Sequence, residues 1–218
     1  MKYLTTYIRL QGEGETSLLL QQYACRGISV CFVCICACNV KNEEAGRRFT
    51  GQLLSWCRGF PWHKAVRSRK KWMGLAEKEL AEIARESTAD IACSDMTGQG
   101  LLPQSIRAKW KILLCLGEEA MILGNGQEAY LLGTSLGRGI VRRMNGSFRG
   151  VLEPGAGILL VPEGAVKPGE ENKLGEALRL VGMETEEQAN RHLREFAKKA
   201  EGNFRTAVLV MTKEGDNE

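Results

Sequence analysis

The sequence predicts an α+β fold with antiparallel sheets, in one domain over residues 1–218. Three observations predict it. Strand-like apolar runs fill the first forty residues; helical spacing takes over near Asn42; strand signals return from Asp90 onward, broken by glycine turns and one last helix. The 218 residues, 44% hydrophobic and 26% charged, suit a soluble chain with a buried core.

The elements follow in order. Lys2 to Leu10 is rich in Tyr, Thr and Ile and is broken by Gly12-Glu13-Gly14. Ser17 to Ala24 and Ile28 to Cys38 flank an Arg26-Gly27 turn, and the second run is apolar without interruption, as in a strand covered on both faces. Asn42 can cap a helix over Glu43 to Arg58, with Gly59 past its end and Ala45, Phe49, Leu53 and Trp56 on one face. A second helix, Lys71 to Glu86, carries the stripe Met73, Ala76, Leu80 and Ile83. Two such helices joined by a short segment should pack antiparallel on a sheet. Ile106–Leu116, Ala120–Leu123, Glu128–Leu132 and Gly139–Met144 then read as a meander, with Gly124-Asn125-Gly126 as a hairpin turn. Leu152-Glu153-Pro154-Gly155 turns into a short strand, Ile158–Val161. Thr185-Glu186-Glu187-Gln188 is a capping box opening a helix with Leu193, Phe196 and Ala197 inward, and Thr206–Thr212 closes the chain as a strand.

Composition narrows the function. Lysine and arginine total 30 against 26 acidic residues, a net +4, which argues against nucleic acid as a partner. No apolar run reaches the roughly 18–20 residues of a membrane span, and Met1–Leu10 lacks the apolar block of a signal peptide, so the expectation is a cytoplasmic protein without a membrane partner. The 8 cysteines lie mostly in apolar segments and read as reduced core thiols.

Four stretches, in order, resemble one family. Gly14-Glu15-Thr16-Ser17-Leu18-Leu19-Leu20 is similar to an opening N-E-D motif. Phe32-Val33-Cys34-Ile35-Cys36-Ala37 sits where a strand ends in D-G-M-G-G. Leu152-Glu153-Pro154-Gly155 with Ile158 to Gly164 resembles an E-P-G-D, L-L-L, S-D-G segment. Asn203-Phe204-Arg205-Thr206 to Val210 resembles a closing D-N-x-T strand, and Ala129-Tyr130-Leu131-Leu132 echoes G-D-S-R-A-Y-L-L. The family is that of the type 2C (PPM, metal-dependent) protein phosphatases. The resemblance implies a β-sandwich flanked by antiparallel helix pairs. The short Tyr130–Glu153 interval implies that the flap subdomain is absent.

The resemblance also implies a site. Family members hydrolyse phosphate esters with two divalent cations held by aspartates, because Mn²⁺ and Mg²⁺ demand oxygen ligands. Carried over by position, those aspartates fall on Thr16, Cys36, Glu163 and Asn203, and the accompanying glycines on Ala37 and Gly164; the phosphate-facing arginine falls near Gln11, two residues from Arg9. One carboxylate of four survives. The expectation is a pseudophosphatase with no catalytic residues and no cofactor, with Glu163 as the metal ligand if there is one. It would bind a protein partner, such as a phosphoprotein or a kinase. The alternative is a divergent phosphatase using Mn²⁺ or Mg²⁺, with Glu13, Glu15 or Glu43 supplying displaced oxygens.

Other patterns have plainer readings. Cys34-x-Cys36-x-Cys38 places three sulfurs roughly 6–7 Å apart along one strand face, which suits packing better than one tetrahedral zinc. The basic segment His63, Lys64, Arg67, Arg69, Lys70 and Lys71 lies between Trp62 and Trp72. It reads as a solvated connector whose tryptophans enter the core, with a partner-binding loop as the functional alternative. Arg138, Arg142, Arg143 and Arg149 read as exposed strand positions, and His192 as a solvated helix position.

Overall fold

The computed structural model describes residues 2–9, 15–38, 43–94, 109–125, 127–135, 138–144, 146–162, 165–166, 169, 185–199 and 206–213. Among the described residues there are ten strands: β1 (Lys2–Arg9), β2 (Glu15–Cys25), β3 (Ile28–Cys38), β4 (Lys109–Leu116), β5 (Glu119–Asn125), β6 (Gln127–Ser135), β7 (Arg138–Met144), β8 (Phe148–Val151), β9 (Gly157–Pro162) and β10 (Thr206–Lys213). They form two five-stranded sheets, β1-β10-β9-β6-β7 and β2-β3-β4-β5-β8, with every ladder antiparallel. The helices are α1 (Glu43–Gly59), α2 (Trp62–Ala65), α3 (Arg69–Ser94) and α4 (Glu186–Lys199).

Strand β3 shows why its sequence has no polar alternation. Val30, Phe32, Cys34 and Cys36 enter one apolar cluster with Phe49, Leu53, Met73 and Leu80 of α1 and α3. Cys31, Val33 and Ile35 enter another with Ile158, Leu160, Val208 and Val210 of the opposite sheet. Alternate residues of a strand face opposite ways, so a strand covered by helices on one side and a sheet on the other must be apolar at every step. Helices α1 and α3 run antiparallel: Ser87 donates to Gln52 at 2.6 Å and Trp56 Nε1 to Glu79 at 2.7 Å, so rising numbers on one meet falling numbers on the other. On the outer face of the first sheet, Ala189, Leu193 and Ala197 of α4 pack with Leu4, Tyr130, Leu159 and Leu209. The capping box at its start is reciprocal, Gln188 N to Thr185 Oγ1 at 3.2 Å and Thr185 N to Gln188 Oε1 at 3.3 Å. The side chain of Phe196 lies outside the described residues.

Three expectations need correction. Asp90–Ser94 is helical, because α3 runs through to Ser94 and the segment 106–108 lies outside the described residues. The buried Ser87, bonded to Gln52, hides the inward stripe behind a polar residue. The expected meander is split: β4 pairs with β5 in one sheet and β6 with β7 in the other. The chain therefore changes sheets after Asn125 instead of turning back in a hairpin. Gly124 there has φ +126°, and a Cβ would lie 2.3 Å from the Trp110 carbonyl oxygen, so only glycine permits this path. Strand β8, on the edge of the second sheet against β5, carries no alternation in sequence because Gly150 interrupts it.

Candidate functional site

Register shows which strand ends meet. In the first sheet Arg9 pairs with Thr206, and Gln127 with Pro162, so β1, β10, β9 and β6 share one end. In the second sheet Thr16 pairs with Ala37 and Ala37 with Lys109, forming one row across β2, β3 and β4. Arg9 ends β1 and Glu15 begins β2, with five residues between them in sequence. Of the positions singled out in sequence, Thr16, Cys36 and Ala37 lie on β2 and β3 near this end. Thr16 and Ala37 are direct backbone partners, though their side chains lie outside the described residues. Glu163, Gly164 and Asn203 lie outside the described residues altogether; the strand ends they adjoin in sequence, Pro162 and Thr206, belong to this end.

Cys36 is separated from that row. It pairs with Ser17 and its side chain, 0% exposed, is sealed in the cluster with Phe49 and Leu53 of α1. Cys34 shares that cluster, while Cys31 faces the opposite sheet with Cys115. Cys25, Cys31, Cys34, Cys36, Cys57 and Cys115 form no disulfide. Burial pushes the Cys31 thiol up to about 12 and the Cys115 thiol well above its ordinary range, so neither forms a thiolate at neutral pH.

Two groups at this end were not singled out in sequence. Lys111, the cross-strand partner of Ile35 and Gly124, is 2% exposed. It alternates with Leu113 and Cys115, which face the other sheet, and its Nζ lies 3.5 Å from the Gly124 carbonyl oxygen. Burial lowers its proton affinity below that of an ordinary lysine, and the negative charge of Glu128 opposes the shift. Glu128, itself buried, accepts from the Tyr130 hydroxyl at 2.6 Å and from Arg143 at 2.6 Å. Lys109-x-Lys111 was visible as two cations spaced by two at the head of an apolar strand; two-residue alternation with Leu113 would have placed Lys111 inward. Among the described residues no three His, Cys, Asp or Glu side chains gather closely enough to share an ion.

The basic segment lies at the opposite end of the second sheet. Gly117, in the β4–β5 turn, donates to Ser29 at the start of β3, and the guanidinium of Arg69 sits beside it. His63, Lys64, Arg67, Lys70 and Lys71 are exposed and Arg69 is half-buried. Trp62 is buried, with ring centroids 4.5 Å from Phe60 and 5.9 Å from Trp56, and Trp72 packs edge-on to Phe60, so the tryptophans belong to the core. Arg149 of β8 joins this surface by donating to the Lys70 carbonyl, with Glu77 3.9 Å away. Arg143 and Arg149 are therefore engaged in specific contacts, and the side chains of Arg138 and Arg142 lie outside the described residues. His192 sits half-buried on α4, 3.8 Å from Glu195. A broad open groove runs between β1 and α4, bordered by Tyr7, Arg191 and Arg194.

No family model and no curated protein matches the sequence. Solved structures do. The Staphylococcus aureus serine/threonine phosphatase Stp1 is similar over 99% of this chain and 96% of its own, at 10% identity and a TM-score of 0.65. The Mycobacterium tuberculosis serine/threonine phosphatase PstP/Ppp is similar over 98% of this chain and 99% of its own, at 16% identity and a TM-score of 0.59. PppA, a regulatory component of the type VI secretion system in Pseudomonas aeruginosa, is similar over 94% of this chain and 99% of its own, at 12% identity and a TM-score of 0.56. The PstP catalytic domain, with a TM-score of 0.55, is described in complex with two manganese ions. Two five-stranded antiparallel sheets, a shared core between them and helices outside, matched end to end by these enzymes, give this chain the fold of the type 2C metal-dependent serine/threonine phosphatases.

Proposed function

We propose that the chain is a pseudophosphatase, a type 2C fold in one domain that binds a protein instead of hydrolysing a phosphate ester. One observation carries the reading: the row Thr16–Ala37–Lys109 at the shared strand end offers no carboxylate and adds a lysine. Cys36 is sealed on the helix side, and the nearby Glu128 already accepts from Tyr130 and Arg143. Two hard divalent cations do not fit such a set, because their mutual repulsion needs anionic oxygens to offset it. Three residues, Asn145 to Ser147, separate β7 from β8, which supports the absence of a flap subdomain. Buried reduced thiols support a cytoplasmic setting.

For the partner, the exposed His63, Lys64, Arg67, Lys70 and Lys71 with Arg149 form a cationic surface away from the site end. It suits an acidic or phosphorylated protein, a phosphoprotein or a kinase among them. Calorimetric titration with Mn²⁺, run beside hydrolysis of an aryl phosphate, tests the reading. The expected outcome is no saturable heat and no turnover; two tight sites with turnover would sink it. The second reading, a divergent phosphatase, draws on Glu163 next to Pro162 at the end of β9. It requires Mn²⁺- or Mg²⁺-dependent hydrolysis that Glu163→Gln abolishes.

A further inference from the structure

Lys111 is an unusual residue for its place. Fully buried lysines are rare unless paired, and burying an ammonium costs more than burying the methionine that would fill the same space. The residue is 2% exposed, and among the described residues its Nζ meets one carbonyl, that of Gly124, at the long distance of 3.5 Å. Glu128, the carboxylate that acts on it from the other sheet, is already engaged by Tyr130 and Arg143. Packing alone therefore does not account for a lysine here.

Its position does. Lys111 lies in the row Leu18–Ile35–Lys111–Gly124, and the next row but one toward the strand ends is Thr16–Ala37–Lys109. Positions two apart in an unbroken strand share a face. Ile35 and Leu113 face the opposite sheet. Lys111 is thus two rows inward of the row where Thr16 and Ala37 pair, on the face that looks toward the other sheet.

We propose that Lys111 is a built-in cation of this fold, whose ammonium holds positive charge at the strand end and bars a divalent cation from it. The inference rests on the pseudophosphatase reading and adds to it: the site lacks ligands for a metal and also carries an active obstacle to one. Carboxylates placed at Thr16 and Ala37 alone would then leave the metal weakly held, because a lysine two rows away repels a dication through a poorly solvated interior.

The test uses the full chain and Mn²⁺ as probe, followed by loss of the free-ion paramagnetic resonance signal. Thr16→Asp/Ala37→Asp is compared with the same chain carrying Lys111→Met and with one carrying Lys111→Arg. Lys111→Met is expected to tighten Mn²⁺ at least tenfold over the two aspartates alone, and Lys111→Arg to leave it unchanged. A gain under twofold with methionine, or an equal gain with arginine, overturns the inference. Should the aspartate variants fail to fold, Lys111→Glu in the natural chain replaces them. Saturable Mn²⁺ binding absent from the natural chain is then expected, and its failure to appear counts against the inference. If the natural chain itself bound two ions and hydrolysed phosphate esters, both readings would fall together; a metal-blind natural chain with no gain from Lys111→Met removes this inference alone.

Discussion

Lys111 and Cys36 sit one register step apart on neighbouring strands and face opposite ways, and that difference sets what each can do. Cys36 belongs to the helix-facing core, where Cys36→Asp would bury a carboxylate among Phe49 and Leu53; the expected result is loss of the cooperative unfolding transition, read by thermal melts. Lys111 answers to pH. Its folded-state proton affinity is lowered from the model-peptide value of 10.5, so the unfolded chain holds the proton more tightly. Below the depressed value the penalty is present in full, and it fades as pH rises toward 10.5. The stability gap between Lys111→Met and the natural chain, measured by denaturant unfolding, should therefore favour methionine at neutral pH and narrow through that alkaline window. A gap that widened with pH would contradict the burial assigned to Lys111. The buried thiols give a further expectation at this scale: Cys31 and Cys115, whose ionisation burial suppresses, should resist a disulfide exchange reagent in the native chain and react on unfolding. Mass spectrometric mapping of labelled cysteines checks it.

At the scale of elements, the basic segment separates into a buried part and an exposed part. Trp62 packs with Phe60, Trp56 and Tyr23 beneath α2, while Lys64, Arg67, Lys70 and Lys71 point to solvent. Trp62→Ala should cost about 3–5 kcal/mol, as for other buried aromatics cut to alanine. Reversing the four charges together should leave the melting temperature within a few degrees and remove binding to an acidic partner. Strong destabilisation by the charge reversal would mean that the cations are structural. The α4 capping box offers a smaller test: Thr185→Ala loses one partner of the reciprocal pair with Gln188 and should cost about 1 kcal/mol in thermal unfolding. These elements were legible in sequence because their causes are local. The spacing of Leu53 and Trp56, the Thr185–Gln188 box and the uninterrupted apolar run of β3 each state their own burial. The end of α3 was not legible, since Ser87 is inward only because Gln52 of another helix waits for it.

At the scale of the whole molecule, the crossing after Asn125 decides the architecture. Gly124→Ala should destabilise by about 2 kcal/mol or more, because a Cβ there meets the Trp110 carbonyl at 2.3 Å and the backbone has φ +126°. A variant as stable as the natural chain would show that β5 can leave the sheet by another path. The amino-acid order by itself determined most of the strand and helix content and the apolar cores of β3 and β4, because periodicity and side-chain chemistry are properties of short segments. Tertiary structure alone decided that the supposed meander is shared between two sheets. It also decided that Cys36 turns away from Thr16 and Ala37, and that Arg149 joins the basic surface. Glycine turns look the same whether a strand returns beside its neighbour or crosses to the facing layer, and which of these happens depends on surfaces that meet only after the chain has folded.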